Sequence, residues 1–136
     1  MISKYFTLEE LTRSVTAQRM CINNTPSAEG ANKLSYLSKY CLDKIRELWG
    51  KPIYVNSGYR CTELNKAIGG AKNSQHISCE AADITTGSVD GNKRLFDLIV
   101  KSDIDFDQLI DERNYHWLHV SCKYLCQGNR HQILHL

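Results

Sequence analysis

Ser74-Gln75-His76-Ile77-Ser78-Cys79-Glu80-Ala81-Ala82-Asp83 carries a loop into a strand. The loop begins upstream at Ile68-Gly69-Gly70-Ala71-Lys72-Asn73, where adjacent glycines mark irregular backbone. The strand is read as Glu80 to Ile84. Alternation along it puts Ala81 and Asp83 on one face and Ala82 and Ile84 on the other. A second strand, Trp117-Leu118-His119-Val120-Ser121, places Trp117, His119 and Ser121 on one face and Leu118 and Val120 on the core side. His76, Asp83 and His119 together make two imidazoles and one carboxylate. Three such ligands with a fourth position left for water are the mark of a catalytic zinc site rather than a closed structural one. The mixture of nitrogen and oxygen suits Zn²⁺ better than Ca²⁺ or Mg²⁺.

Working outward, the segment before this pair is helical. Thr7 and Glu10 form a capping-box pattern that opens a short helix over Leu8 to Ser14, and the mixed, polar segment from Arg19 to Thr25 reads as a loop. Pro26-Ser27 starts the clearest helix. Its apolar stripe is Leu34, Leu37, Cys41, Ile45 and Leu48, ended by Gly50 and Pro52. Ile53 to Asn56 is a strand running into the turn Ser57-Gly58-Tyr59-Arg60, and Thr62 to Ala67 holds one or two helical turns. After the Asp83 strand, a helix over Gly91 to Lys101 presents Leu95, Leu98 and Ile99. Phe106 to Ile110 is a strand, Asp111 to Tyr115 a polar loop, Cys122 to Arg130 a turn and Gln132 to Leu136 a last short strand. Helices first, then strands with a helix among them, give an α+β fold: a small antiparallel sheet with helices packed on one side and the metal residues on the sheet face.

Length and composition narrow the function. The 136 residues make one domain, 1–136, long enough for a core without staples. A net charge of +2 with scattered basic residues gives no ground for nucleic acid as a partner. Met1-Ile2-Ser3-Lys4-Tyr5-Phe6-Thr7-Leu8-Glu9-Glu10 has no apolar run of signal-peptide length, so synthesis in the cytoplasm is expected. No stretch approaches the ~20 apolar residues of a membrane span, so no membrane insertion is expected. The six cysteines, Cys21, Cys41, Cys61, Cys79, Cys122 and Cys126, include no Cys-x-x-Cys pair and are read as reduced packing residues.

Four motifs in order carry a resemblance: Ser57-Gly58-Tyr59-Arg60, Asn73-Ser74-Gln75-His76, Glu80-Ala81-Ala82-Asp83-Ile84 and Trp117-Leu118-His119-Val120-Ser121. Tyr5-Phe6-Thr7 with Glu10-Leu11, Asn24-Thr25-Pro26-Ser27 and Trp49-Gly50-Lys51-Pro52 add to it. Over nearly the whole chain the sequence resembles the zinc D-alanyl-D-alanine carboxypeptidase family. That family includes the vancomycin-resistance dipeptidases and phage endolysins that cut L-alanyl-D-glutamate bonds. The resemblance implies a monomeric zinc metallopeptidase that hydrolyses peptidoglycan stem peptides and acts on the cell wall, a host's wall if phage-encoded. It implies His76, Asp83 and His119 as zinc ligands and Arg60 beside the scissile carbonyl, both in binding and in catalysis. Ser74 is implied as an orienting or substrate-binding residue, and Trp117 as a groove wall against substrate.

Two positions depart from the family pattern. Cys79 stands where glycine is usual, either as a tolerated side chain beside the metal loop or as a fourth, soft ligand. His116 stands where an acid often precedes the second histidine, which leaves the general base among Glu112, Asp111 and His116, with Glu112 the best fit and His116 expected beside it in a supporting catalytic role. The same departure supports an alternative: a non-hydrolytic, zinc-containing wall-binding or interaction domain that retains the fold.

Overall fold

The computed structural model describes residues 1–136. Five helices, α1 (Val15–Arg19), α2 (Ala28–Leu37), α3 (Asp43–Trp49), α4 (Thr62–Ala67) and α5 (Val89–Lys101), accompany five strands. The strands are β1 (Tyr54–Ser57), β2 (Ala81–Thr85), β3 (Gln108–Glu112), β4 (Trp117–Ser121) and β5 (Gln132–His135), in the sheet order β1-β2-β4-β3-β5. The first four pair antiparallel, as an α+β fold requires, but β5 runs parallel to β3. The reason is the connection after β4. Residues 122–131 cross the end of the sheet where β4 stops and β3 starts, and His131 and Gln132 donate to the carbonyls of Phe106 and Asp107 at 3.1 and 2.9 Å. The chain thus re-enters beside the start of β3 without running back along the sheet, which an antiparallel fifth strand would have required.

The core lies between one sheet face and the layer of α2, α3 and α5. Ala82, Ile84, Leu109, Leu118 and Val120 bury against Leu34, Leu37, Leu42, Ile45, Leu95, Phe96 and Ile99. This is the face expected for Ala82, Ile84, Leu118 and Val120. The opposite face is free to carry polar residues. α1 and α4 make a separate small cluster from Ala17, Ile22 and Leu64.

Several local expectations change. The Thr7–Glu10 capping box forms, with both reciprocal bonds at 3.1 Å, but only turns follow it over 8–12. The Leu11 carbonyl, which would serve the next helical turn, instead accepts from Tyr59 N at 2.7 Å. The first helix begins only at Val15, capped by Ser14 in extended conformation, after the stretch read as helix, and it ends at Arg19, where the loop was read to begin. Between α2 and α3 a wide π-turn spans Ser38–Leu42. The extra residue in that turn advances the buried stripe, so Leu48 is exposed and Trp49 packs on the core. In α5, Phe96 is buried where Leu98 was expected, and Leu98 is exposed. Strand β3 continues through Asp111 and Glu112, and the tight turn that follows holds Arg113, Asn114 and Tyr115 all at positive φ.

Candidate metal centre

β2 and β4 are neighbours in the sheet, and their register sets Asp83 directly opposite His119. His76 comes from the loop before β2. Its Nδ1 lies 2.7 Å from the carbonyl oxygen of Gly58, and its Nε2 lies 3.2 Å from Asp83 Oδ1. His119 Nδ1 approaches the same oxygen at 3.2 Å. The three ligand atoms all fall within 4.8 Å of one another. Both imidazoles are buried, with ring centroids 5.1 Å apart, and His119 Nε2 has no hydrogen-bond partner.

These distances fit a tetrahedral ion. Ligand bonds of ~2.0–2.1 Å at tetrahedral angles place neighbouring donor atoms roughly 3.3 Å apart. The electrostatics point the same way. A carbonyl only accepts, so His76 Nδ1 carries the proton and a neutral ring turns the lone pair of Nε2 toward the Asp83 carboxylate. Two lone pairs facing each other at 3.2 Å call for a proton or a cation between them. Burial by itself would raise the Asp83 carboxyl, but a proton or cation shared with His119 and His76 outweighs it and holds the group well below the usual carboxylate range. The donor set is thus charged and convergent.

A cleft of about 560 Å³ opens over this cluster. Arg60, Ser74, Glu112 and Trp117 all line it together with His76, Asp83 and His119. Arg60 N donates to His76 O at 3.2 Å, and its Nε is buried without a partner. Burial pulls its guanidinium below the ordinary value, while Asp83 and Glu112 pull the other way. Ser74 Oγ accepts from His76 N at 3.1 Å. Glu112 and Trp117 are a cross-strand pair, and Trp117 Nε1 donates to Glu112 Oε2. That bond aims the carboxylate along the sheet face and leaves Oε1 free.

Three candidates fall elsewhere. Asp111 is on the opposite sheet face, buried and paired with His135. His116 is exposed in the β3–β4 turn, bonded through Nδ1 to Arg113 O, and does not line the cleft. Cys79 is buried, is not among the convergent ligand atoms, and burial pushes its thiol up to about 11.

The family model for Peptidase M15 matches residues 4–121. The chain belongs to the peptidase M15 family. Within it, this M15 chain is 40% identical over 63 residues to the zinc D-Ala-D-Ala carboxypeptidase of Streptomyces albus G, an alignment covering 46% of this chain. The match takes in 25% of that protein, so this chain accounts for only part of the relative's length.

The sequence reading missed one set of cleft residues. Gln75, Gln108, Ile110 and Arg130 also line the cleft. Gln108 and Ile110 alternate with Glu112 along β3, a relation hidden while the strand was read to end at Ile110, and nothing local marks Arg130, which reaches the site only because β5 pairs beside β3.

Proposed function

We propose that this M15 chain is a zinc-dependent hydrolase of peptide bonds in peptidoglycan stem peptides, of D,D-carboxypeptidase or L-Ala-D-Glu endopeptidase type, acting on the cell wall in the manner of an endolysin. The observation that carries it is the convergence of His76 Nε2, His119 Nδ1 and Asp83 Oδ1 in a cleft that Arg60 and Glu112 also line. The family and the zinc carboxypeptidase relative support the metal and the substrate class. No helix is long and apolar enough to cross a membrane.

His76, Asp83 and His119 would hold the ion. Zinc there would acidify a water and polarise a carbonyl. The rest of the scheme falls to the protein's own side chains. Glu112, held on one oxygen by Trp117, takes the proton of the attacking water and passes it to the leaving amine. Arg60 donates to the carbonyl oxygen as negative charge builds there, and its half-buried position strengthens that contact. Ser74 holds the backbone of the His76 loop, and Trp117 walls the groove. A carboxylate on the cleft wall supports hydrolysis over a metal-holding binding module, because the missing acid at position 116 is replaced by one at 112.

The test is to load the purified protein with zinc, digest peptidoglycan and identify the fragments by mass. Release of D-alanine, or of fragments cut between L-alanine and D-glutamate, is expected. Stoichiometric zinc with no stem peptide cut would overturn the hydrolase reading and leave the binding module.

A further inference from the structure

Arg130 stands on the cleft wall without a part in the scheme above. It lies in the turn before β5. Its Nε donates to Asp107 Oδ1 and its Nη2 to Asp107 Oδ2, both at 2.9 Å. Its backbone N–H meets the same Oδ1 at 2.9 Å. The Asp107 side chain is fully buried (0%) and takes a further bond from Gln75 Nε2 at 2.7 Å. Asp107 thus ties the loop carrying His76 to the arm carrying Arg130.

A guanidinium gripped on both atoms of one edge has a fixed direction, unlike a free surface arginine. Arginine carries five N–H groups in two forked edges. Asp107 occupies the edge formed by Nε and Nη2. The end edge, Nη1 with the second hydrogen of Nη2, has no protein acceptor, and the side chain is half exposed (51%). That free edge matches a second carboxylate.

Position supports the same occupant. Arg60 follows β1 and Arg130 precedes β5, the two edge strands, while Asp83 and His119 sit on β2 and β4 between them. β4 and β5 are two strand spacings apart, ~10 Å, and Arg130 stands four residues before Leu134, the residue level with His119, ~13 Å along the strand. An extended peptide advances ~3.5 Å per residue. With the length of the arginine side chain taken off, a group reaching Arg130 belongs to a residue within about three of the reacting bond.

We propose that Arg130 is a substrate-binding residue that reads a free carboxylate within about three residues of the bond cut, so that the cleft selects peptide acids over their amides. This rests on the peptidase reading of the same cleft. Both bond types named above offer such a group: the C-terminal carboxylate of D-Ala-D-Ala, and the free α-carboxylate of a γ-linked D-glutamate.

The experiment measures binding by calorimetry to the zinc-loaded Glu112→Gln protein, so that bound peptide is not consumed. The probes are acetylated peptides of each bond type, as the free acid and as its primary amide. The acid is expected to bind about tenfold to a hundredfold more tightly than the amide for at least one bond type, the worth of a charge-assisted fork. Adding Arg130→Gln should reduce that ratio to about twofold or less, by weakening the acid and sparing the amide. Arg130→Lys keeps the pairing with Asp107 and serves as the folded control; its compact ammonium should retain only part of the preference. A full acid preference surviving in both variants, or none in the Arg130 protein, overturns the proposal. If the zinc-loaded wild type cuts acid and amide alike, this inference fails and the hydrolase reading stands. If an Arg130-dependent preference is found but no peptide is cut, the reverse holds.

Discussion

His76 Nδ1 donates to the carbonyl oxygen of Gly58 at 2.7 Å, and that single bond decides which nitrogen the ring presents to Asp83. Gly58 can serve because nothing larger fits. A Cβ there would stand 2.2 Å from the Leu11 carbonyl oxygen, and that oxygen already accepts from Tyr59 N. The Ser57-Gly58-Tyr59-Arg60 word therefore positions His76, the first candidate ligand, through backbone, at a distance of 18 residues.

Gly58→Ala is expected to push the turn off Leu11 and displace the carbonyl from His76. Loss of such a supporting bond typically weakens metal binding ~10–100-fold. Zinc titration against a competing chelator reads the change. An unchanged affinity would show that the Gly58 carbonyl does not orient the ring.

His76→Ala, Asp83→Ala and His119→Ala should each remove most bound zinc, since two protein ligands are too few to hold the ion. Metal analysis after gel filtration gives the answer. Stoichiometric zinc in all three would end the assignment of this cluster.

Glu112→Gln should keep zinc and lose turnover by ~10²–10⁴, the usual worth of a general base. His116→Ala should change little, because His116 is outside the cleft. Peptidoglycan digestion by the two variants side by side separates the roles; full activity in Glu112→Gln with none in His116→Ala would reverse them.

Cys79 sits at φ 62, a left-handed conformation that glycine adopts without strain. Cys79→Gly relieves about 1 kcal/mol of that strain and loses a buried side chain of similar worth. Stability within about 1 kcal/mol of wild type is expected, with zinc affinity unchanged. A clear fall in zinc affinity with the fold intact would make Cys79 a ligand after all.

Asp107 gives the pH dependence. The bonds from Arg130, chiefly those of its side chain, hold the buried carboxyl at about 2, below its ordinary 3.8. A depressed acid stabilises the folded state above its unfolded value and loses that contribution as pH falls through the folded one. Stability should therefore drop by about 2 kcal/mol between pH 4 and pH 2 on account of this group. Asp107→Asn should unfold more easily at pH 7 and show a flatter profile over that acid range. Denaturant unfolding of both proteins across those pH values measures it, and parallel profiles would count against the pairing.

Much of this was legible in the chain itself. Alternation alone set Ala82, Ile84, Leu118 and Val120 on the buried face and Asp83 and His119 on the other, because a strand has a period of two whatever surrounds it. Gly50 ends its helix at φ 76 for an equally local reason. Where a local signal met a distant competitor, it lost: the Thr7–Glu10 box forms, yet no helix follows, because Tyr59 holds the Leu11 carbonyl.

Sequence by itself determined the candidate ligand types, their order along the chain and the faces that carry them, since those depend on side-chain chemistry and strand period. Tertiary structure alone decided three further matters. The β2–β4 register brings Asp83 across from His119. The run of β3 through Glu112 sends that carboxylate to the cleft and Asp111 to the far face. The parallel return of β5 carries Arg130 to the cleft wall. Register and strand direction are set by which buried faces fit together and where the connections can reach, and that is a property of the whole packed chain rather than of any stretch of it.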